Sequence, residues 1–179
     1  MGCRRDYPPK LDLEVPQTGG TFSVVTLYLI RHATAGVRNS FGGDDHLRPL
    51  DANGQIQADA IAQELGDEPL HAIHSSMATR CRQTVEPLAQ ALGINVEISP
   101  QLFEGNASST AIEFVRSFTG RNAVLCSHGD LIPDVIRTLA VGGTRLEGQG
   151  CAKGSIWRLD NSTERIESGL YLGPLGSPV

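Results

Sequence analysis

Hydrophobic positions along the chain switch repeatedly between short β-branched runs and longer stretches at helical spacing. Ser23 to Ile30 (SVVTLYLI) is dense in Val, Thr, Ile and Tyr and predicts a strand. DANGQIQADAIAQELG then places Ile56, Ala60, Ile61 and Leu65 on one helical stripe, with Asp51 as the N-cap and Gly66 as the stop. LHAIHSS predicts a second strand. ATRCRQTVEPLAQALG predicts a helix with Cys81, Val85, Leu88 and Leu92 on its apolar face, kinked or divided at Pro87. NVEIS predicts a third strand.

The second half repeats the alternation. STAIEFVRSF predicts a helix, NAVLCS a buried strand, and DLIPDVIRTLA a helix whose Pro133 falls in a tolerated first turn if Asp130 caps it. GSIWRLD and ERIESGL predict closing strands. The β-α-β-α order predicts an α/β fold, a three-layer αβα sandwich around a mainly parallel sheet. Such sheets bind ligands beyond the carboxyl ends of their strands.

Length and composition narrow the picture. At 179 residues and 40% hydrophobic, the chain suits one core. A single domain is expected over residues 23–170, after a Pro- and Gly-rich flexible leader (1–22) and before a C-terminal tail (171–179). The formal net charge of -5 disfavours a nucleic-acid or anionic-membrane partner, so any basic cluster is local. Cys3, Cys81, Cys126 and Cys151 show no paired spacing and read as free thiols suited to a reducing cytoplasm. No stretch is long and apolar enough for export or spanning, and Asp6 stands where a myristoylation pattern wants Ser or Thr.

Placed on this fold, Arg31 and His32 follow strand one, Ser75, Ser76 and Arg80 follow strand two, and Ser127, His128 and Gly129 follow the NAVLC strand. All three groups share one rim. Two arginines and two histidines there, beside helix N-termini, suit a compact doubly charged anion such as phosphate. Ser127 and Gly129 are candidate substrate contacts beside them. A neutral imidazole is nucleophilic near pH 7, and neighbouring guanidinium groups keep it neutral. Arginine forks hold the spread charge of a phosphoryl transition state, so neither metal nor cofactor is expected.

The motifs LIRHATA and SHGD resemble the two histidine blocks of the histidine phosphatase superfamily, also called phosphoglycerate mutase-like. RPLDANGQIQA and SSMATRCRQT resemble the segments between them, in family order. The nearest resemblance is to the small phosphohistidine-phosphatase-type members. It implies a phosphohistidine intermediate on His32, phosphate oxygens held by Arg31 and Arg80, and a cradle completed by His128. It further implies Arg48 as a third phosphate ligand and Glu104 as general acid, although the aromatic and acidic continuation usual after that position is missing. Arg38 reads as a solvated loop residue.

The expected substrate is a phosphorylated small molecule or a phosphohistidine protein, hydrolysed in the cytoplasm. A phosphoglycerate mutase-type phosphotransferase and a non-catalytic phosphate- or phosphoprotein-binding module use the same residues and remain alternatives. No Cys has Arg at the C-x5-R spacing, GQGCAKGS lacks the Walker order, and no G-x-S-x-G elbow is present. His71 and His74 in HAIH would face opposite sides of a strand, which disfavours a metal pair.

Overall fold

The computed structural model describes residues 25–176, so the expected leader, Cys3 and Asp6 lie outside the described residues. Along the chain come β1 (Val25–Arg31), α1 (Ala52–Leu65), β2 (Ala72–Ser75), α2 (Thr79–Leu92), β3 (Val96–Ile98), α3 (Ser108–Arg116), β4 (Ala123–Ser127), α4 (Ile132–Val141), β5 (Arg145–Glu147), β6 (Ile156–Asn161) and β7 (Ile166–Leu172). The strands form one sheet in the order β3-β2-β4-β1-β6-β7-β5. Only β6 runs against the others, pairing antiparallel with both β1 and β7.

Strand periodicity divides the core into two layers. Leu27 and Leu29 of β1 and Leu125 of β4 meet Ile112 and Val115 of α3 and Ile132, Val135 and Leu139 of α4. The alternate residues Tyr28, Ile30, Val124 and Cys126 meet Ile61 and Leu65 of α1 and Cys81, Val85 and Leu88 of α2. The sheet is therefore covered on both faces, the expected αβα sandwich. Each fully buried Leu or Ile contributes about 1.5–3 kcal/mol relative to exposure, which explains why the apolar stripes located these helices. No helix among the described residues is long and apolar enough to cross a membrane.

Four details differ from the sequence expectations. α2 runs unbroken across Pro87, held on either side by buried Val85, Leu88 and Ala89. α4 starts at Ile132 with no side-chain cap, because the Asp130 carboxylate instead accepts from the Gly105 amide at 2.8 Å. β5 is an additional edge strand of three residues, formed by pairing with β7 and largely exposed. β7 continues through Leu172, so Tyr171 and Leu172 pair with Trp157 and Ile156 instead of belonging to a tail.

Asp51 is the N-cap expected for α1, and it does more than cap. Its Oδ1 accepts from the Gly54 amide at 2.8 Å and the Thr34 hydroxyl at 2.7 Å, while Oδ2 accepts from the Gly36 amide at 2.7 Å. Burial opposes ionisation of this carboxyl, but the three hydrogen bonds outweigh burial and hold it below the usual carboxylate range. One side chain thus joins α1 to the loop that leaves β1. Asp51→Ala should lower the unfolding free energy by about 1–3 kcal/mol in urea denaturation. Asp51→Asn, which keeps a cap acceptor, should recover part of the loss. A change within about 0.5 kcal/mol for the alanine variant, as at an ordinary surface position, would show that the three bonds do not anchor this loop.

Candidate active site

The strand order brings the sequence-predicted groups together, because β2, β4 and β1 are adjacent, parallel and in register at their carboxyl ends. Arg31 pairs with Ser127, and Ser75 with Cys126. The chain leaving each strand stays tied to its neighbour: the His32 amide donates to the Ser127 carbonyl and the Ser76 amide to the Cys126 carbonyl, both at 3.0 Å. His32 and His128 consequently face each other with ring centroids 5.3 Å apart.

His32 is buried, and its Nδ1 lies 2.8 Å from the Ala33 carbonyl oxygen. A carbonyl only accepts, so Nδ1 carries the proton and Nε2 keeps its lone pair in the neutral ring. Burial lowers the pKa of this imidazole to about 3, despite the opposing bond to Ala33, with further lowering from His128, Arg80 and Arg31. The ring is neutral, and nucleophilic at Nε2, over the whole physiological range.

Arg80, the second residue of α2, is wholly inaccessible to solvent. Its Nη1 donates to the Asp45 carbonyl at 2.8 Å and lies 3.2 Å from the Asp45 carboxylate, while Nη2 donates to Glu104 Oε2 at 2.7 Å. Nη2 also lies 3.4 Å from His128 Nδ1. Since arginine cannot accept, this contact leaves the proton of a neutral His128 on Nε2, which lies 2.8 Å from Ser76 Oγ. Arg31 donates from Nη1 to the Cys151 carbonyl at 2.5 Å and makes no ion pair among the described residues. Gly129 lies directly on that guanidinium: a Cβ at position 129 would stand 2.6 Å from Arg31 Cζ.

The remaining candidates divide. Glu104 is in the site, bridging Arg80 through Oε2 and Arg38 through Oε1 at 2.5 Å. Arg48 is nearby and buried, donating to Asp45 Oδ1 at 2.8 Å and the Ala35 carbonyl at 2.6 Å. The Ser127 hydroxyl turns away to donate to the Leu102 carbonyl at 2.9 Å, a role in loop support. Arg38, expected as a solvated residue, pairs with both Glu104 and Asp45.

Sequence reasoning missed Asp45, which touches Arg38, Arg48 and Arg80. Its signal was weak: an acid three residues before Arg48 in a short 3-10 turn, Asp45–Leu47. It also missed the supports. Thr84 Oγ1 accepts from the Ala33 amide at 2.9 Å, Gln83 Oε1 from the Leu50 amide at 2.9 Å, and Gln57 Oε1 from the Thr34 amide at 2.9 Å. Gly54 permits the same approach, since a Cβ there would stand 2.0 Å from the Thr34 carbonyl oxygen. RCRQT and ANGQIQ are therefore the props under the RHATA loop.

The low His32 pKa makes stability depend on pH in a defined direction. An unfolded histidine titrates near 6.5 and the folded His32 near 3, so between those values the unfolded chain binds the extra proton and stability falls as pH falls. In urea unfolding from pH 7 down to pH 4.5, wild type should lose stability more steeply than His32→Asn, by up to about 1.4 kcal/mol per pH unit. Parallel curves for the two proteins would show that His32 is not buried as a neutral base.

Comparison with known proteins bears on the family and the fold. Residues 27–111 match the model of the histidine phosphatase superfamily (branch 1). The chain is 35% identical over 155 residues to an 8-oxo-(d)GTP phosphatase of Mycolicibacterium smegmatis, an alignment covering 83% of this chain and 48% of that protein. It thus spans about half the length of this curated relative. Among solved structures, the protein histidine phosphatase SixA in complex with tungstate superposes with a TM-score of 0.66 at 17% identity, over 84% of this chain and 96% of that one. A mycobacterial glucosyl-3-phosphoglycerate phosphatase superposes with a TM-score of 0.58 at 18% identity, over 87% of this chain and all of the other. With the motif residues converging on one rim and the shared fold around them, residues 27–111 of the chain belong to the histidine phosphatase superfamily (branch 1).

Proposed function

We propose that the protein is a metal-independent phosphatase that hydrolyses phosphate monoesters or phosphohistidine through a phosphohistidine intermediate on His32. One observation carries this reading. Among the described residues, the buried side-chain nitrogen and oxygen atoms without a hydrogen-bond partner are Arg31 Nε and Arg80 Nε, both in the guanidinium groups beside His32. Buried donors left unpaired are costly, and a tetrahedral oxyanion supplies the acceptors they lack.

In the first step the Nε2 lone pair of His32 attacks phosphorus and the bond to the leaving oxygen breaks. Arg31 and Arg80 hold the non-bridging oxygens where charge spreads. An alkoxide leaving group needs a proton, which Glu104 supplies. Both Glu104 oxygens accept from arginines, so phosphate oxygens arriving at Arg80 Nη2 compete with that carboxylate and release it to work beside the leaving group. In the second step water attacks phosphorus, the P–N bond breaks, and phosphate leaves with His32 restored. Relatives of this chain are named for a nucleotide, a sugar phosphoglycerate and a protein histidine, so the substrate panel spans all three classes.

Quenching turnover at alkaline pH should trap phosphate on His32 alone, and His32→Ala should abolish both label and turnover. Label on His128, His71 or a serine would overturn the assignment. Arg31→Ala and Arg80→Ala should each slow turnover by about 10²- to 10³-fold, the usual effect of removing one preorganised donor. Rates near wild type in folded variants would remove these arginines from the mechanism. Glu104→Gln should cut hydrolysis of an alkyl phosphate by roughly 10²- to 10⁴-fold while barely slowing a nitrophenyl ester or a phosphoramidate, whose leaving groups depart more readily. Equal losses on all three would assign Glu104 to positioning Arg80 instead.

A further inference from the structure

The loop from Cys151 to Ser155 is bound to Arg31 and His32 at both of its ends. The Arg31 guanidinium donates to the Cys151 carbonyl at 2.5 Å, and the Arg31 amide donates to the Ser155 carbonyl at 3.1 Å. The Gly154 amide in turn lies 3.1 Å from the carbonyl oxygens of both Arg31 and His32. Gln57, which already supports the RHATA loop, donates from Nε2 to the Lys153 carbonyl at 3.3 Å. Gly154 is required for this fit: its φ is +75°, and a Cβ there would stand 2.8 Å from the Gln57 amide carbon. The backbone of residue 153 is therefore fixed one position from the residue that grips both Arg31 and His32.

From that backbone the half-buried Lys153 side chain carries an ammonium that makes no hydrogen bond or ion pair among the described residues. The charged groups that act on it are Arg31, Arg48, Arg80 and Asp51. Burial, followed by repulsion from Arg31 and Arg48, lowers its pKa, and the attraction of Asp51 does not offset them. Asp51 is already occupied by Thr34, Gly36 and Gly54. An uncompensated cation is thus held against a cradle that is itself cationic, an arrangement that favours a ligand with more negative charge than one phosphoryl group carries.

Building on the phosphatase reading, we infer that Lys153 forms a second anion position beside the cradle and that the preferred substrates carry a diphosphate or longer phosphate chain. His32 Nε2 then attacks the terminal phosphorus, the bridging P–O bond breaks, and the leaving group departs as a phosphate whose charge Lys153 neutralises. Such a leaving group needs no proton from Glu104.

The test uses the full chain with Lys153→Met, which keeps most of the aliphatic stem, and Lys153→Arg, which keeps the charge. Affinities for inorganic phosphate and inorganic pyrophosphate are measured by calorimetry, and kcat/KM for methyl phosphate and methyl diphosphate by phosphate release. Lys153→Met should lower the pyrophosphate-to-phosphate affinity ratio and the diphosphate-to-monophosphate kcat/KM ratio by about tenfold or more, the loss of one hydrogen bond to a charged group. Lys153→Arg should restore most of both. Unchanged ratios, whether because both ligands weaken equally or because neither does, would overturn the second anion position. The two readings fail separately: wild type that binds both anions but turns over no phosphate ester refutes the phosphatase, while the affinity ratio still decides Lys153.

Discussion

The burial of the Arg80 guanidinium constrains the rest of the site. Taking such a cation out of water costs several kcal/mol unless its donors find partners, and Arg80 is completely enclosed. Two carboxylates and a backbone carbonyl meet its terminal nitrogens, from Asp45 and Glu104. Those partners come from two separate loops, so each loop is drawn over the rim by the same charge. Arg38 and Arg48 then close the network from outside. With Arg38 more than half exposed, its own pairs contribute little to stability and chiefly orient the acids that face Arg80.

The network still leaves net positive charge at the rim, and that surplus bears on His32, the proposed nucleophile. Arg31 lacks an acidic partner among the described residues, and the Nε atoms of Arg31 and Arg80 are unpaired. The same field that invites an oxyanion keeps His32 deprotonated, adding to the larger effect of burial. In the proposed mechanism, binding and activation thus come from one arrangement of charge. The tautomer is set separately, by the Ala33 carbonyl on Nδ1.

Much of this was legible in the sequence because it depended on local patterning. The apolar stripes of α1 and α2 and the β-branched run of β1 identified the layers, and alternation of strand and helix implied parallel strands with His32, Arg80 and His128 at one end. What escaped reading depended on tertiary pairing. β5 has little pattern of its own and exists because β7 offers an edge. α2 tolerates Pro87 because packing on both sides outweighs one lost backbone bond. Asp130 has the residue type of a cap, yet the Gly105 amide claims its carboxylate. Asp45 and Glu104 sit in loops whose composition says nothing about a shared partner. Their pairing with Arg80 follows only from where that buried cation lies.

The most direct measurement is a crystal structure of the protein soaked with vanadate, which adopts the five-coordinate geometry of phosphoryl transfer. Vanadium should be found bonded to His32 Nε2, with donors of Arg31 and Arg80 within about 3 Å of its equatorial oxygens and Glu104 turned toward the apical oxygen opposite His32. Vanadate seated away from His32, or coordinated while Arg80 remains fully engaged by Asp45 and Glu104, would contradict a site whose buried arginines are poised for an oxyanion.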